Sequence, residues 1–135
     1  MPDATDLKII GELRKNGRIT MKELGKKVHL TGQAASARVL KLEEEGIIEG
    51  YTIHVNDQKT GKLIHAFINV YTRNQNHKPL LEFIDKKDVS SLYKISGEGC
   101  YLIECKFHKN EDLDEFLNGL NLYANYKLSI VIKSS

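Results

Sequence analysis

No apolar run in this 135-residue sequence is longer than a few residues, far short of the roughly 20 needed to cross a bilayer. The opening "MPDATD" is not a basic segment with an apolar follower, so the sequence predicts a cytoplasmic protein with no membrane partner. Cysteine is scarce: Cys100 and Cys105 stand five positions apart in what reads as one strand. An odd spacing puts them on opposite faces, so they cannot share a metal, and they are expected to be buried thiols. The five histidines (His29, His54, His65, His77 and His108) show no zinc-site spacing. Neither a glycine-rich phosphate loop nor a nucleophile beside an evident base appears. Metal, cofactor and catalysis are therefore not expected.

What is present is the balance of an ordinary globular protein, with 41% hydrophobic and 28% charged residues in a length that suits one domain or two small ones. The net charge of +2 hides an asymmetry. Between Lys8 and Lys41 nine basic residues face only Glu12 and Glu23, whereas Glu43 to Glu49 carries four glutamates. A local excess of cations is the footprint of a surface facing phosphates, although solvated lysine faces are commoner.

The first fifty residues read as three short helices. Asp3 can cap the first, Leu7, Ile10 and Leu13 give it an apolar face, and "NG" at Asn16 ends it. Thr20 and Glu23 form a capping box for the second, whose buried side is Met21, Leu24 and Val28. After a tight turn, Thr31 caps a third helix that runs to Glu45 and stops at Gly46, with Ala35, Val39 and Leu42 inward. Two short helices joined by a tight turn, the second facing outward, make a helix-turn-helix. Its second helix must admit the DNA backbone and read base edges. Gly32, Ala34, Ser36 and Ala37 are small enough to allow that approach. Gln33 and Ser36 supply hydrogen bonds, with Arg38 and Lys41 farther along for phosphate or guanine. Thr31, Lys22, Lys26 and Lys27 complete the predicted DNA-binding set, the lysines as phosphate contacts.

The run "DLKIIGELRKNGRITMKELGKKVHLTGQAASARVLKLEEEGIIEGYTIHVN" resembles the DNA-binding domain of the Lrp/AsnC family of transcription regulators. Matching positions include Asp6, Ile9, Leu13, Gly17, Arg18, Leu24, Leu30, Arg38, Leu42, Gly46 and Tyr51, with Thr31 where the family usually has serine. Gly25 and Ala35 stand where it usually has alanine and valine. The remainder fits the same family. "YTIHVN" alternates like a strand, "DQKTGK" is turn-rich, and from Leu63 the order reads strand, helix, strand, strand, helix, strand. In that stretch Pro79 to Lys87 is predicted helical, Asn110 is a candidate cap for the last helix, and "YKLSIVIKS" is the final strand. That order is the split βαβ plan of a ferredoxin-like fold, similar to the family's ACT-like or RAM regulatory domain.

The expected fold class is thus α+β: a helix-turn-helix, winged-helix-like domain over 1–50, a strand and hinge over 51–62, and a ferredoxin-like α/β sandwich over 63–135. The resemblance implies a sequence-specific, double-stranded-DNA-binding transcription regulator. It also implies a homodimer able to assemble into tetramers or octamers, and an amino-acid effector near the turn "ISGEGCYLIEC". There Gly97, Glu98, Gly99 and Tyr101 keep the family pattern, but Cys100 stands where aspartate is usual, so either the effector differs or there is none. A hairpin needing glycine for positive φ accounts equally well for the turn. Two other functions stay open on the sequence: an architectural DNA-wrapping protein of weak sequence preference, and a ferredoxin-like small-molecule-binding protein.

Overall fold

Asp3 begins the chain's first element by a complete capping box. Its Oδ1 accepts from Asp6 N at 2.8 Å, and Asp6 Oδ2 accepts from Asp3 N at 3.1 Å, so two orphan donors of helix α1 (Ala4–Lys15) are satisfied reciprocally. This is a computed structural model and it describes residues 1–134, which divide into two units, Met1–His54 and a second from Val55 onward.

In the first unit, Ile9 is the fully buried residue of α1, with Ile10 and Leu13 beside it. Leu7, expected on the inner face, is 60% exposed because the helix is rotated to bring Ile9 to the centre. Helix α2 (Met21–Val28) is capped by Thr20 Oγ1, which accepts from Glu23 N at 3.1 Å. The reciprocal bond from Glu23 is not made, so only half of the expected box forms. The turn to α3 (Gly32–Glu44) passes through His29 in the left-handed region, and Thr31 Oγ1 accepts from Ala34 N at 3.1 Å. A side chain at Gly25 would stand 2.5 Å from Leu30 O, so only glycine lets this turn close on α2. Leu24, Val28, Ala35, Val39 and Leu42 meet Ile9 in one core. Tyr51–Asn56 forms no strand, contrary to its alternation, and among the described residues no segment pairs with it in a ladder.

The second unit is a four-stranded antiparallel sheet in the order β2-β3-β1-β4 with two helices on one face. The elements are β1 (Ile64–Thr72), α4 (Lys78–Asp85), β2 (Ser91–Lys94), β3 (Tyr101–Phe107), α5 (Asn110–Asn121) and β4 (Ala124–Ile130). Ala66, Ile68 and Val70 on β1 and Ile103 and Cys105 on β3 are completely buried beneath α4 and α5. Gly119 lets the helices approach: a side-chain carbon there would lie 2.6 Å from the Phe83 ring. Several boundaries differ from expectation: α4 ends at Asp85 rather than Lys87, and β4 ends at Ile130 rather than Ser134. Asn110 is the first residue of α5 rather than its cap, which is Lys109 without a side-chain bond. The last strand starts at Ala124, earlier than its alternation suggests, since Arg73 pulls the end of α5 and the start of β4 together, donating to Asn121 O at 2.7 Å and Ala124 O at 3.2 Å. Residues of opposite parity, Phe67, Asn69 and Tyr71 on β1 with Leu102 on β3 and Lys127 on β4, form a sheet face that carries no helix.

Candidate nucleic-acid interface and effector turn

Helix α3 shows the site most plainly. Gln33, Ser36, Ala37, Leu40 and Lys41 are exposed, while Ala35, Val39 and Leu42 occupy the core. At about 100° per residue, Gln33, Ala37 and Leu40 fall within one narrow stripe. The side chains along it are small or uncharged, and Leu40, 55% exposed, is a stripe member that the sequence reading left out. Its spacing of seven from Gln33, out of phase with the core positions, was the available signal.

Gly32 does not lie on that stripe. A carbon added to it would make ordinary contact with the start of α2, 3.4 Å from Lys22 Cα and N, so this position faces α2. Ala34 is half-buried and Thr31 spends its hydroxyl on the cap. Lys22, Lys26 and Lys27 are exposed on α2 and have no ion-pair partner among the described residues. Lys41, expected to meet phosphate or guanine, reaches Glu45 at 3.9 Å one turn on. Arg38 also departs from expectation. Its Nη1 donates to Asp3 Oδ1 and Oδ2 at 2.8 Å and to Asp6 Oδ1 at 3.1 Å, so this nitrogen is taken up within the protein. The same bond holds the Asp3 carboxyl below its ordinary value.

In the second unit, the turn between β2 and β3 depends on two glycines, Gly97 at φ +110 and Gly99 at φ +98. At Gly99 a side-chain carbon would lie 2.7 Å from Val70 O, and the next amide, Cys100 N, donates to that same oxygen at 2.7 Å. The turn is thereby bound to β1. Asn69 Nδ2 donates to Glu98 O at 2.7 Å, and the Tyr71 hydroxyl donates to Glu98 Oε2. Lys127 Nζ stands 3.7 Å from that oxygen and 5.7 Å from the centre of the Tyr71 ring. Tyr71 first, and Lys127 after it, hold the Glu98 carboxyl below its ordinary value. Asn69, Tyr71 and Lys127 were invisible as partners in the sequence, because only strand register brings them to the turn.

Cys100 precedes β3 instead of lying within it and is half-buried, its Sγ 3.1 Å from Thr72 Oγ1. That bond lowers the thiol pKa. Cys105 is buried as expected, and burial, with Glu104 adding to it, pushes its thiol up to about 11. Tyr101 was expected beside an effector at this turn. Its ring is 6% exposed in the core, and its hydroxyl meets His77 Nδ1 at 2.9 Å, so it lines the helix side of the sheet. Among the described residues no three His, Cys, Asp or Glu side chains come together as a metal site, and no helix is long and apolar enough to cross a membrane.

Comparison with known proteins bears on both units. Residues 2–49 match the winged helix-turn-helix DNA-binding model, and residues 65–135 match the Lrp/AsnC ligand binding domain. The HTH-type transcriptional regulator LrpA of Bacillus subtilis is 57% identical over 134 residues, covering 98% of each chain. The structure of B. subtilis LrpC superimposes with a TM-score of 0.92 at 29% identity, covering 100% of this chain and 97% of that one. A transcriptional regulator of Neisseria meningitidis, solved as a complex with L-methionine, gives a TM-score of 0.91 at 27% identity over 98% of this chain and 91% of its own.

Proposed function

The chain belongs to the Lrp/AsnC family of transcription regulators, and from that premise we propose that α3 lies in the DNA major groove with Gln33, Ser36, Ala37 and Leu40 toward the base edges. The observation that carries this is the exposed stripe of α3. It is an uncharged, mostly small surface with no protein partner among the described residues, beside the unpaired cations of α2. Gln33 suits an adenine edge and Leu40 a thymine methyl group. Lys22, Lys26 and Lys27 neutralise phosphates, and Lys41 joins them by leaving Glu45, a weak exposed pair. Thr31, Gly32 and Ala34 fix the angle at which the stripe is presented. A cytoplasmic site of action fits this reading.

One head of this size offers few base contacts, so two act together on half-sites about one helical turn apart. The helix-free sheet face, with half-buried Phe67 and Leu102 near its middle, is the surface by which two copies pair, and pairs can associate further. Footprinting of DNA flanking the protein's own gene at two salt concentrations tests the reading. A bounded footprint that survives the higher salt supports sequence-specific regulation. Uniform, salt-sensitive coverage would favour architectural wrapping instead.

For the turn Gly97–Tyr101, the reading is weak or altered amino-acid recognition. Cys100 offers no carboxylate to an ammonium group, and Glu98 already satisfies Tyr71 and Lys127. Calorimetry of the protein and of Cys100→Asp against the twenty amino acids is the check. Micromolar binding by the unmodified protein would sink this reading, and binding gained only with aspartate would support it.

A further inference from the structure

We propose that Arg38 is a positioning residue for DNA reading. It ties the recognition helix to the capping box of α1, and so fixes the direction in which Gln33, Ser36 and Leu40 point, without itself touching DNA. The inference rests on the groove-reading role of α3 given above and concerns how that helix is held.

Three observations carry it. Arg38 stands five residues beyond Gln33, which at about 100° per residue places it about 140° round the helix from the reading stripe. On that flank its Nη1 bonds both oxygens of Asp3 and one of Asp6, and its side chain is 36% exposed. The two carboxylates it joins are the ones that cap α1. Asp3 Oδ1 takes Asp6 N, and Asp6 Oδ2 takes Asp3 N. Arg38 therefore binds a preformed pair of anions at a helix N-terminus, where both are already favoured by the backbone donors. The link spans 35 residues of sequence from Asp3 and 32 from Asp6, and joins helices that otherwise meet through apolar residues, which constrain direction loosely. A charge-assisted bond fixes geometry more sharply.

The alternative, direct contact of Arg38 with phosphate or guanine, predicts effects of opposite sign, and this makes the test decisive. Asp3→Asn keeps a good helix cap and Asp6→Asn keeps an amide oxygen for Asp3 N, so the pair of substitutions removes charge while sparing the box. If Arg38 touches DNA, that double variant frees the guanidinium, removes two anions near the phosphates and tightens binding. If Arg38 positions α3, the double variant loosens the helix and lowers specificity.

The experiment measures the affinity of the full chain for its footprinted site and for random DNA of equal length, over a range of salt. It compares Arg38→Ala, Arg38→Lys, the Asp3→Asn/Asp6→Asn double variant and the combination of that double variant with Arg38→Ala. Expected is a several-fold fall in the specific-to-random ratio for Arg38→Ala and for the asparagine variant. The combination should be no worse than either, because all remove one link. The affinity for random DNA and the salt slope should stay as they were, and Arg38→Lys should recover part of the ratio. A salt slope reduced by about 0.9 in Arg38→Ala, with tighter binding in the asparagine variant, would overturn the proposal in favour of direct contact. Equal losses on both DNAs with a lowered melting temperature and no recovery by lysine would also overturn it, leaving a general stabilising pair. A ratio near one in the unmodified protein would bring down the groove-reading itself and the proposal with it. That case is recognised because Gln33→Ala then changes nothing either.

Discussion

Gln33 leaves the front of α3 with no side-chain partner among the described residues, and its amide can both donate to and accept from an adenine edge. Gln33→Ala is expected to cost roughly 1–3 kcal/mol on the specific site and far less on random DNA, measured by titration of labelled duplexes. In the proposed groove-reading arrangement the smallness of Ala37 beside it matters as much as the amide, since a bulky side chain there would hold the helix off the bases. The two thiols make a second contrast at this scale. Cys100 is half-buried, with a pKa lowered by the Thr72 hydroxyl, whereas Cys105 is completely buried and raised to about 11. The thiolate is the reactive species, so brief treatment with iodoacetamide near neutral pH should modify Cys100 and spare Cys105. Peptide mass spectrometry reads this directly, and modification of Cys105 at a comparable rate would contradict the burial described.

At the scale of elements, α2 and α3 divide the work: α3 presents an uncharged stripe and α2 presents Lys22, Lys26 and Lys27. Neutralising one of these lysines should weaken binding to all sequences alike and lower the salt slope by about 0.9, and an unchanged slope in all three would make them a solvated surface. Much of this was legible beforehand, for definite reasons. Thr31 and Gly46 mark the ends of α3 because helix ends need a side-chain acceptor and a residue that tolerates positive φ, and both needs are local. Ala35, Val39 and Leu42 gave the inner face through their period. Distant pairing was not legible. Nothing near Arg38 in sequence announces Asp3 and Asp6, and Lys127 meets Glu98 only because β4 and β3 flank β1 in a particular register. The misplaced Leu7 shows the limit of periodicity in a short helix. Leu7, Ile10 and Leu13 fit an apolar stripe about as well as one centred on Ile9, and packing against α2 and α3 decides between them. Tyr51–Asn56 has a strand's pattern, but the pattern supplies no neighbour to pair with.

For the whole molecule, the helix-free face of the sheet sets a test of assembly. Phe67 lies near its centre, on the side of β1 opposite the core residues Ala66 and Ile68. If two copies pair through this face as proposed, Phe67→Asp should leave each copy folded, by far-ultraviolet circular dichroism, yet sediment as a monomer where the unmodified protein sediments as a dimer. Loss of the second head's avidity should weaken binding to the specific site by roughly a hundredfold or more. An unchanged sedimentation coefficient would place the pairing surface elsewhere. The strand order β2-β3-β1-β4 also bears on how the chain is made. β1 is the first strand to leave the ribosome, and it is flanked on both sides in the finished sheet, by β3 from Tyr101 and by β4 from Ala124. Its neighbours arrive only after the intervening residues are synthesised, which at about 5–20 residues per second keeps the second edge open for roughly 3–10 seconds. During that interval the edge of β1 that β4 will fill stays unpaired, and until α4 and α5 have been made Ala66, Ile68 and Val70 lack their cover, while the three helices of the first unit, needing only near neighbours, can already be folded. Nascent chains crowded on one messenger would therefore meet through an unfinished β1, and mispairing during translation should begin there.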